Sequence, residues 1–329
     1  MSIDRTRALR VVALVIGLLV VSFVVLGVQQ FQNFLTLGAI YALIALGYTM
    51  VYGIIELINF AHGDIFMVGA FVSMWILTVP LGLSDRPIEN PLELTAVLLV
   101  VVFGTMLFMG LVGAVIERFA YRPLRHAPRL APLITAIGVS FILQNIVQAI
   151  FSPSPISVPQ VFPRVKLDLL GGSIGVLNIF MVAVALLLMV ALQLFVGRTR
   201  LGRAMRSTAQ DREAAELMGV DINQTIAITF FIAAALAGSA GVIQGLYFGS
   251  IQFNLGFFAG LKAFTAAVLG GIGNTTGAAI GGFVIAFIEV LAAQLGFSRW
   301  SEVAVFTVLI LVLVFRPSGL LGHALGERA

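Results

Sequence analysis

The sequence predicts an all-α integral membrane protein: a polytopic helical bundle of about ten spans (8–10), N-in and C-in, with broken or re-entrant segments. Three observations carry this expectation. Of 329 residues, 60% are apolar and 10% charged, a balance suited to a chain solvated by lipid rather than water. The apolar residues fall in blocks of about 20, the number a helix rising about 1.5 Å per residue needs to cross about 30 Å of hydrocarbon. The basic residues gather beside alternate blocks, as one fixed orientation in the bilayer requires.

In chain order the blocks lie at about 9–27, 32–52, 63–83, 93–116, 131–151, 175–196, 226–249, 258–272, 276–295 and 303–315. The first follows Arg5, Arg7 and Arg10 and has the outline of a secretory signal. No small-x-small cleavage site follows Leu26-Gly27, so it is read as an extra N-terminal span. The fourth contains the run Val97-Leu98-Leu99-Val100-Val101-Val102-Phe103. A lipid-facing barrel strand would alternate apolar and polar residues, so helices are expected throughout. Between the fifth and sixth blocks, 152–174 carries Pro153, Pro155, Pro159 and Pro163, then Gly171-Gly172, and should be extended. It is either a connector or a docking surface for an outside partner. The eighth and tenth blocks are short enough to be re-entrant or tilted.

With the N-terminus inside, 14 basic residues lie on the inner side. Four (Arg86, Arg164, Lys166 and Arg299) lie outside, and Lys262 falls within a span. That asymmetry accounts for the net charge of +4 without invoking nucleic acid. The absence of cysteine excludes disulfides, thiolate metal sites and cysteine nucleophiles. No metal site or catalytic residue is expected, because His62 and Asp64 are too few ligands and no convincing nucleophile stands out.

Two glycine-broken stretches interrupt the apolar pattern. The first, 53–64, runs from Gly53 to Asp64 with Asn59, His62 and Asp64 as polar groups. Irregular backbone at membrane depth persists only where protein or a water-filled cavity satisfies it, so this stretch is a candidate gate or path element. The competing reading is a helix cap at the inner interface, with Asp64 favourable to the helix dipole. The polar face of the preceding span adds Tyr48, Thr49 and Tyr52, and the candidate path is Tyr48, Thr49, Tyr52, Asn59 and His62.

The second break, 269–277, is Leu-Gly-Gly-Ile-Gly-Asn-Thr-Thr-Gly. No Gly-Lys-Ser/Thr follows, so it is not a nucleotide-binding loop. Both breaks fall on the same side of the expected topology, which does not suit an inverted repeat.

Small residues spaced by four, Ala233, Ala237, Gly241 and Gly245, then Gly277 and Gly281, mark helix faces that admit close neighbours. Lys262 and Glu289 are intramembrane charges. They either pair with each other, or Lys262 snorkels outward while Glu289 bonds to a helix backbone.

The inner segment 198–225 is polar and basic. Thr208 followed by Asp211 looks like a capping-box start, and Gly219 is a natural helix stop, so one short helix is expected over 207–219. It carries Glu213-Ala214-Ala215-x-x-x-Gly219.

That spacing resembles the coupling segment of permease subunits of ABC importers. It joins Leu37-Gly38-Ala39-Ile40-Tyr41-Ala42-Leu43 to Tyr48, Ile58-Asn59-Phe60-Ala61-His62-Gly63-Asp64, Tyr121-Arg122-Pro123-Leu124-Arg125 and Lys262-Ala263-Phe264-Thr265-Ala266-Ala267 to Gly273. With these motifs in this order, the chain resembles the LivH-type permease of branched-chain amino-acid importers over nearly its whole length after residue 30. It departs from the family pattern in its longer N-terminal extension and in Asp64, where glutamate is the more frequent residue.

The resemblance implies a single transmembrane permease domain over 1–329 in the bacterial inner membrane. It also implies a LivM-like second permease, two cytoplasmic ATPase subunits and a periplasmic solute-binding protein. The chain itself would hold no cofactor, with ATP and magnesium on the partner ATPases. Arg203, Asp211, Glu213, Ala214, Ala215 and Gly219 would form the ATPase-coupling surface. The other reading of the residues is a secondary transporter or channel for a small neutral solute such as urea or an amide.

Overall fold

A computed structural model describes residues 5–56, 59–125, 127–128, 130–163, 165–169, 172–316 and 318–322. It is a helical bundle. Helix α1 (Arg5–Ile55) is broken at Gly27, whose φ of 69° and ψ of 169° are accessible in practice only to glycine. Then come α2 (His62–Thr78) and α3 (Pro91–Ile116), the latter prolonged by a π-helical turn, Glu117–Tyr121, and a 3-10 turn, Arg122–Leu124. Next are α4 (Leu130–Ile150), β1 (Ile156–Ser157), β2 (Lys166–Leu169) and β3 (Gly172–Gly175). The polar segment 198–225 forms α6 (Arg200–Gln210) and α7 (Arg212–Leu217), preceded by α5 (Val176–Arg198). The rest comprises α8 (Ile222–Phe248), β4 (Ser250–Ile251), α9 (Leu255–Gly270), α10 (Thr275–Gln294) and α11 (Ser301–Phe315).

Every apolar block of the sequence contains one of these helical segments. Among the described residues seven helices are long and apolar enough to cross a membrane, with α1 counted once, while α2 and α9 are shorter apolar helices. The chain is therefore a polytopic helical membrane protein. Local chemistry sets several helix starts. Asn90 accepts from the Leu92 N–H ahead of Pro91, Asp221 from Gln224, and Asn274 from Gly277. Each side chain satisfies an amide that the first turn leaves without a partner.

The buried centre is built by the 28–55 part of α1 with α2, α8, α9 and α10. Small residues bring these helices into backbone contact. A methyl added to Gly241 would stand 2.5 Å from the Ala70 amide nitrogen, one on Gly282 2.5 Å from that of Ala42, and one on Gly69 2.6 Å from Gly238 Cα. Gly277 and Gly281 press against the α9 carbonyls of Gly270 and Ala266, so the spacing of four marks packing faces as expected. Helices α4, α5 and α11 and the segment before Gly27 lie outside this centre and expose apolar side chains such as Val24, Ile146, Leu187 and Val314, as lipid-facing helices do.

At the end away from α6 and α7, the proline-rich loop is extended, as its prolines require. Strand β1 pairs with β4, Ile156 opposite Ile251, and β2 pairs with β3. The Val158 N–H donates to the Gly249 carbonyl at 2.9 Å, and that of Ile88 to Val161 at 2.9 Å. At the opposite end, residues 318–322 strap the break between α9 and α10. Leu320 N donates to Leu269 O at 2.8 Å, and the Asn274 side-chain amide to Leu321 O at 2.8 Å.

Candidate functional site

Helix α1 closes with the Glu56 N–H on the Tyr52 carbonyl, and Glu56 takes a left-handed φ of 54°. Leu57 and Ile58, part of the expected break, lie outside the described residues. Asn59 then organises the turn: its Oδ1 accepts from Ala61 N at 3.1 Å and from the Tyr121 hydroxyl at 2.7 Å. His62 begins α2, buried, its ring edge-on to Tyr48 with centroids 4.7 Å apart. The imidazole packs against Gly47, eight residues before the end of α1 at Ile55. At 1.5 Å per residue, α2 starts roughly 12 Å inward from that end, so the chain re-enters the bundle before helix resumes. His62 and Asp64 do sit in the first turn of a helix, but that turn is buried among other helices rather than set at an exposed interface.

Asp64 is 1% exposed and accepts from the Ser140 hydroxyl and from Gln144 Nε2 at 3.0 Å, both on α4. Gly63 abuts α9, where its added methyl would lie 2.8 Å from Gly260 Cα. A methyl on Gly256 would lie 2.7 Å from Asp64 Oδ1. The N-terminal ends of two short helices thus converge on one carboxylate, which their dipoles favour.

Of the five candidate path residues, Tyr48, Thr49 and Tyr52 line one small cavity with Phe264, Ala267 and Ile272. Its volume of about 10 Å³ holds no solute, so the bundle is shut here. His62 adjoins through Tyr48, whereas Asn59 faces Tyr121. Among the described residues the Thr49 hydroxyl, the Asn59 amide nitrogen and His62 Nε2 are buried without a hydrogen-bond partner. Such groups are costly; the Thr105 and Thr208 hydroxyls, elsewhere in the bundle, share this state. The second break meets the first: a methyl on Gly53 would lie 3.9 Å from Gly273 Cα.

The polar segment 198–225 corrects one expectation. Instead of one helix capped at Thr208, α6 begins at Thr199, whose hydroxyl accepts from Gly202 N at 2.9 Å, so Thr208 falls inside it, buried. The cap is Asp211, accepting from Ala214 N at 3.0 Å, and it starts the separate helix α7. Arg203, Asp211, Glu213 and Ala214 are exposed, Ala215 is buried, and Gly219 takes a left-handed φ of 83°.

Two features of this segment escaped sequence reasoning. Arg212 donates through Nε and Nη2 to the Ile54 carbonyl at 3.2 and 2.5 Å, tying α7 to the last turn of α1. Leu217 and Met218, 88% and 85% exposed, form an apolar tip; their signal was two large apolar residues directly before a helix-ending glycine in a polar segment. A cavity of about 630 Å³ runs between the end of α1 and 208–213, lined also by Leu124, Arg125 and Pro132. Arg125 is anchored there by Glu117 and by Asn223 Oδ1 at 2.6 Å.

Lys262 and Glu289 pair with each other, Nζ to Oε1 at 2.8 Å, which decides between the two readings of these charges. The Tyr41 hydroxyl donates to the other Glu289 oxygen at 2.7 Å.

Comparison with known proteins matches residues 30–314 to the family described as branched-chain amino acid transport system / permease component. The high-affinity branched-chain amino acid transport system permease protein BraD of Pseudomonas aeruginosa is 42% identical over 301 residues, covering 90% of this chain and 95% of its own length. LivH of Escherichia coli (strain K12) is 42% identical over 299 residues with the same coverage. The probable LivH of Methanocaldococcus jannaschii is 29% identical over 293 residues, covering 85% of this chain and 88% of its own. No solved structure matches significantly. The family match begins just beyond the Gly27 break and takes in both glycine breaks, the Arg212 helix and nearly all of α11, so the chain belongs to the permease components of branched-chain amino acid transport systems and is a membrane subunit rather than an enzyme.

Proposed function

We propose that the chain forms part of the path for branched-chain or other neutral amino acids in an ATP-binding-cassette importer of the bacterial inner membrane. A LivM-like permease lies beside it, two cytoplasmic ATPase subunits bind the ATP and magnesium, and a periplasmic solute-binding protein delivers the solute. The observation that carries this reading is the rigid link from α7 through Arg212 to Ile54, at the mouth of a shut, polar-lined break. Helix α7 with its Leu217–Met218 tip seats in a cleft of the ATPase. Closure of the nucleotide sites pulls on the end of α1, and the turn at Glu56 and Asn59 absorbs the motion, opening the wall of Tyr48, Thr49, Tyr52, Asn59 and His62.

The topology behind this is ten crossings, N-in and C-in. Dividing α1 at Gly27 and adding α2 and α9 to the seven long helices gives 7 + 1 + 2, and 14 basic residues against 4 orient them. Residues 1–329 act as one permease domain.

The test is uptake of labelled L-leucine by cells that lack their own system and express this chain with its neighbouring permease, ATPases and binding protein. ATP-dependent uptake is expected, and Gly219→Trp should abolish it with the protein still inserted. Uptake that persists without the ATPases would refute the importer reading; normal uptake and ATPase stimulation in the Gly219 variant would refute the coupling role.

A further inference from the structure

At the end of the bundle away from α6 and α7, a second cavity of about 630 Å³ opens between α1, α8, α9 and α10. Its wall holds an ion pair, neutral hydrogen-bonding groups and apolar surface together. Lys262 and Glu289, with side chains 12% and 20% exposed, are 2.8 Å apart. The Tyr41 hydroxyl supports Glu289, Tyr247 lines the same wall, and Phe258 and Val290 supply apolar surface. Glu302, 46% exposed and outside the lining, stands 3.9 Å from Lys262.

We propose that this cavity is a receiving site for zwitterionic amino acids with aliphatic side chains, and that the Lys262–Glu289 pair opens to hold the solute's carboxylate and ammonium. The inference rests on the reading of this chain as part of an amino-acid path. Two opposite charges whose side chains are only 12% and 20% exposed are tolerated because each satisfies the other. An anionic solute would enter by separating them and would leave Glu289 unpaired.

A zwitterion breaks one pair and forms two, so both ions stay compensated, while its aliphatic side chain lies on Phe258 and Val290. Glu302 keeps an anion beside Lys262 as Glu289 turns to the ammonium. The site therefore rejects carboxylates of the same size that lack an ammonium, because they would leave Glu289 without a cation. It also leads inward: Phe264, two residues beyond Lys262 on α9, contacts Tyr48 with ring centroids 6.0 Å apart, and Tyr48 and Phe264 both line the shut cavity.

The experiment uses the complete complex, with the second permease, the ATPases and the binding protein, in proteoliposomes loaded with ATP. The double variant K262M/E289Q removes both charges and keeps the volume, a change a purely structural ion pair tolerates. We expect L-leucine uptake at least tenfold lower at equal amounts of assembled complex. Uptake within twofold would overturn the proposal.

A second arm uses the natural absence of cysteine. Gln252→Cys, at the cavity edge, is compared before and after modification with a bulky methanethiosulfonate reagent. Uptake falling at least fivefold on modification supports transit through this cavity, and unchanged uptake with complete modification refutes it even where the double variant does not assemble. Failure of the unaltered complex to take up leucine would instead count against the importer reading itself.

Discussion

Removing the Arg212 guanidinium tests the mechanical link between α7 and the bundle. The Ile54 carbonyl lies in the last turn of α1, where no intrahelical N–H reaches it, and Arg212 supplies two donors at 3.2 and 2.5 Å. A hydrogen bond to a charged group contributes about 1.5–3 kcal/mol net, and a cation at a helix C-terminus about 0.3–1 kcal/mol. Because the arginine is only partly buried, the lower part of the range applies, about 2 kcal/mol for the contact. At about 1.4 kcal/mol per tenfold, Arg212→Met shifts the docked-to-undocked ratio of α7 by about 30-fold. Methionine keeps an unbranched side chain and removes the fork. Arg212→Lys keeps the charge but not the paired donors and should fall between. The assay is leucine transported per ATP hydrolysed in proteoliposomes. It should fall about tenfold or more for methionine, with basal hydrolysis retained. An unchanged ratio in both variants, with normal insertion, would show that the Arg212–Ile54 contact transmits nothing.

Other predictions follow from packing and backbone geometry. Gly241→Leu drives its side chain into the Ala70 amide and the Phe66 carbonyl, which a single methyl would already approach to 2.5 and 2.6 Å. Backbone cannot yield as a side-chain tip does, so a loss of about 2–3 kcal/mol and a clear drop in melting temperature in detergent are expected. Gly197→Ala, in open space within α5, should leave that temperature unchanged or raise it by the helix propensity gained, about 1 kcal/mol at most. Gly219→Ala meets no atom within 4 Å but keeps a φ of 83°. The strain of about 1–2 kcal/mol should loosen the end of α7 and lower transport per ATP without lowering the amount inserted. Asn59→Ala strands the buried Tyr121 hydroxyl at a cost of about 1–3 kcal/mol. Adding Tyr121→Phe should recover, in a thermal melt, the part of the stability lost at that hydroxyl, though not the part lost at the Ala61 amide, while leucine uptake stays reduced; full recovery of uptake would remove Asn59 from the path.

How much of this was legible in the sequence depends on how far each feature reaches along the chain. Apolar blocks report burial or lipid contact residue by residue, so the helices stand where the blocks do, and the proline spacing made 152–174 extended. The division of α6 from α7 was not legible, because Thr208 and Asp211 both accept amides well. The choice was made at Thr199, whose cap starts α6 early enough to place Thr208 within it. The re-entrant start of α2 was legible as a polar break but not as a depth, which is set by Gly47 admitting the His62 ring and by Gly63 and Gly260 letting the α2 and α9 backbones meet.

The Lys262–Glu289 pair shows why pairing was one of two readings of these charges and was decided only by the structure. The close approach of Gly270 to Gly277 fixes the register of α9 against α10. Lys262 then lies eight residues from that contact and Glu289 twelve, or roughly 12 Å and 18 Å along antiparallel axes at 1.5 Å per residue. The remaining roughly 6 Å is the reach of a lysine side chain, which extends toward the N-terminal end of its own helix and so toward Glu289. A stripe of small residues that looked like packing alone thus sets which two charges meet, and the receiving cavity inherits its ion pair from that glycine contact.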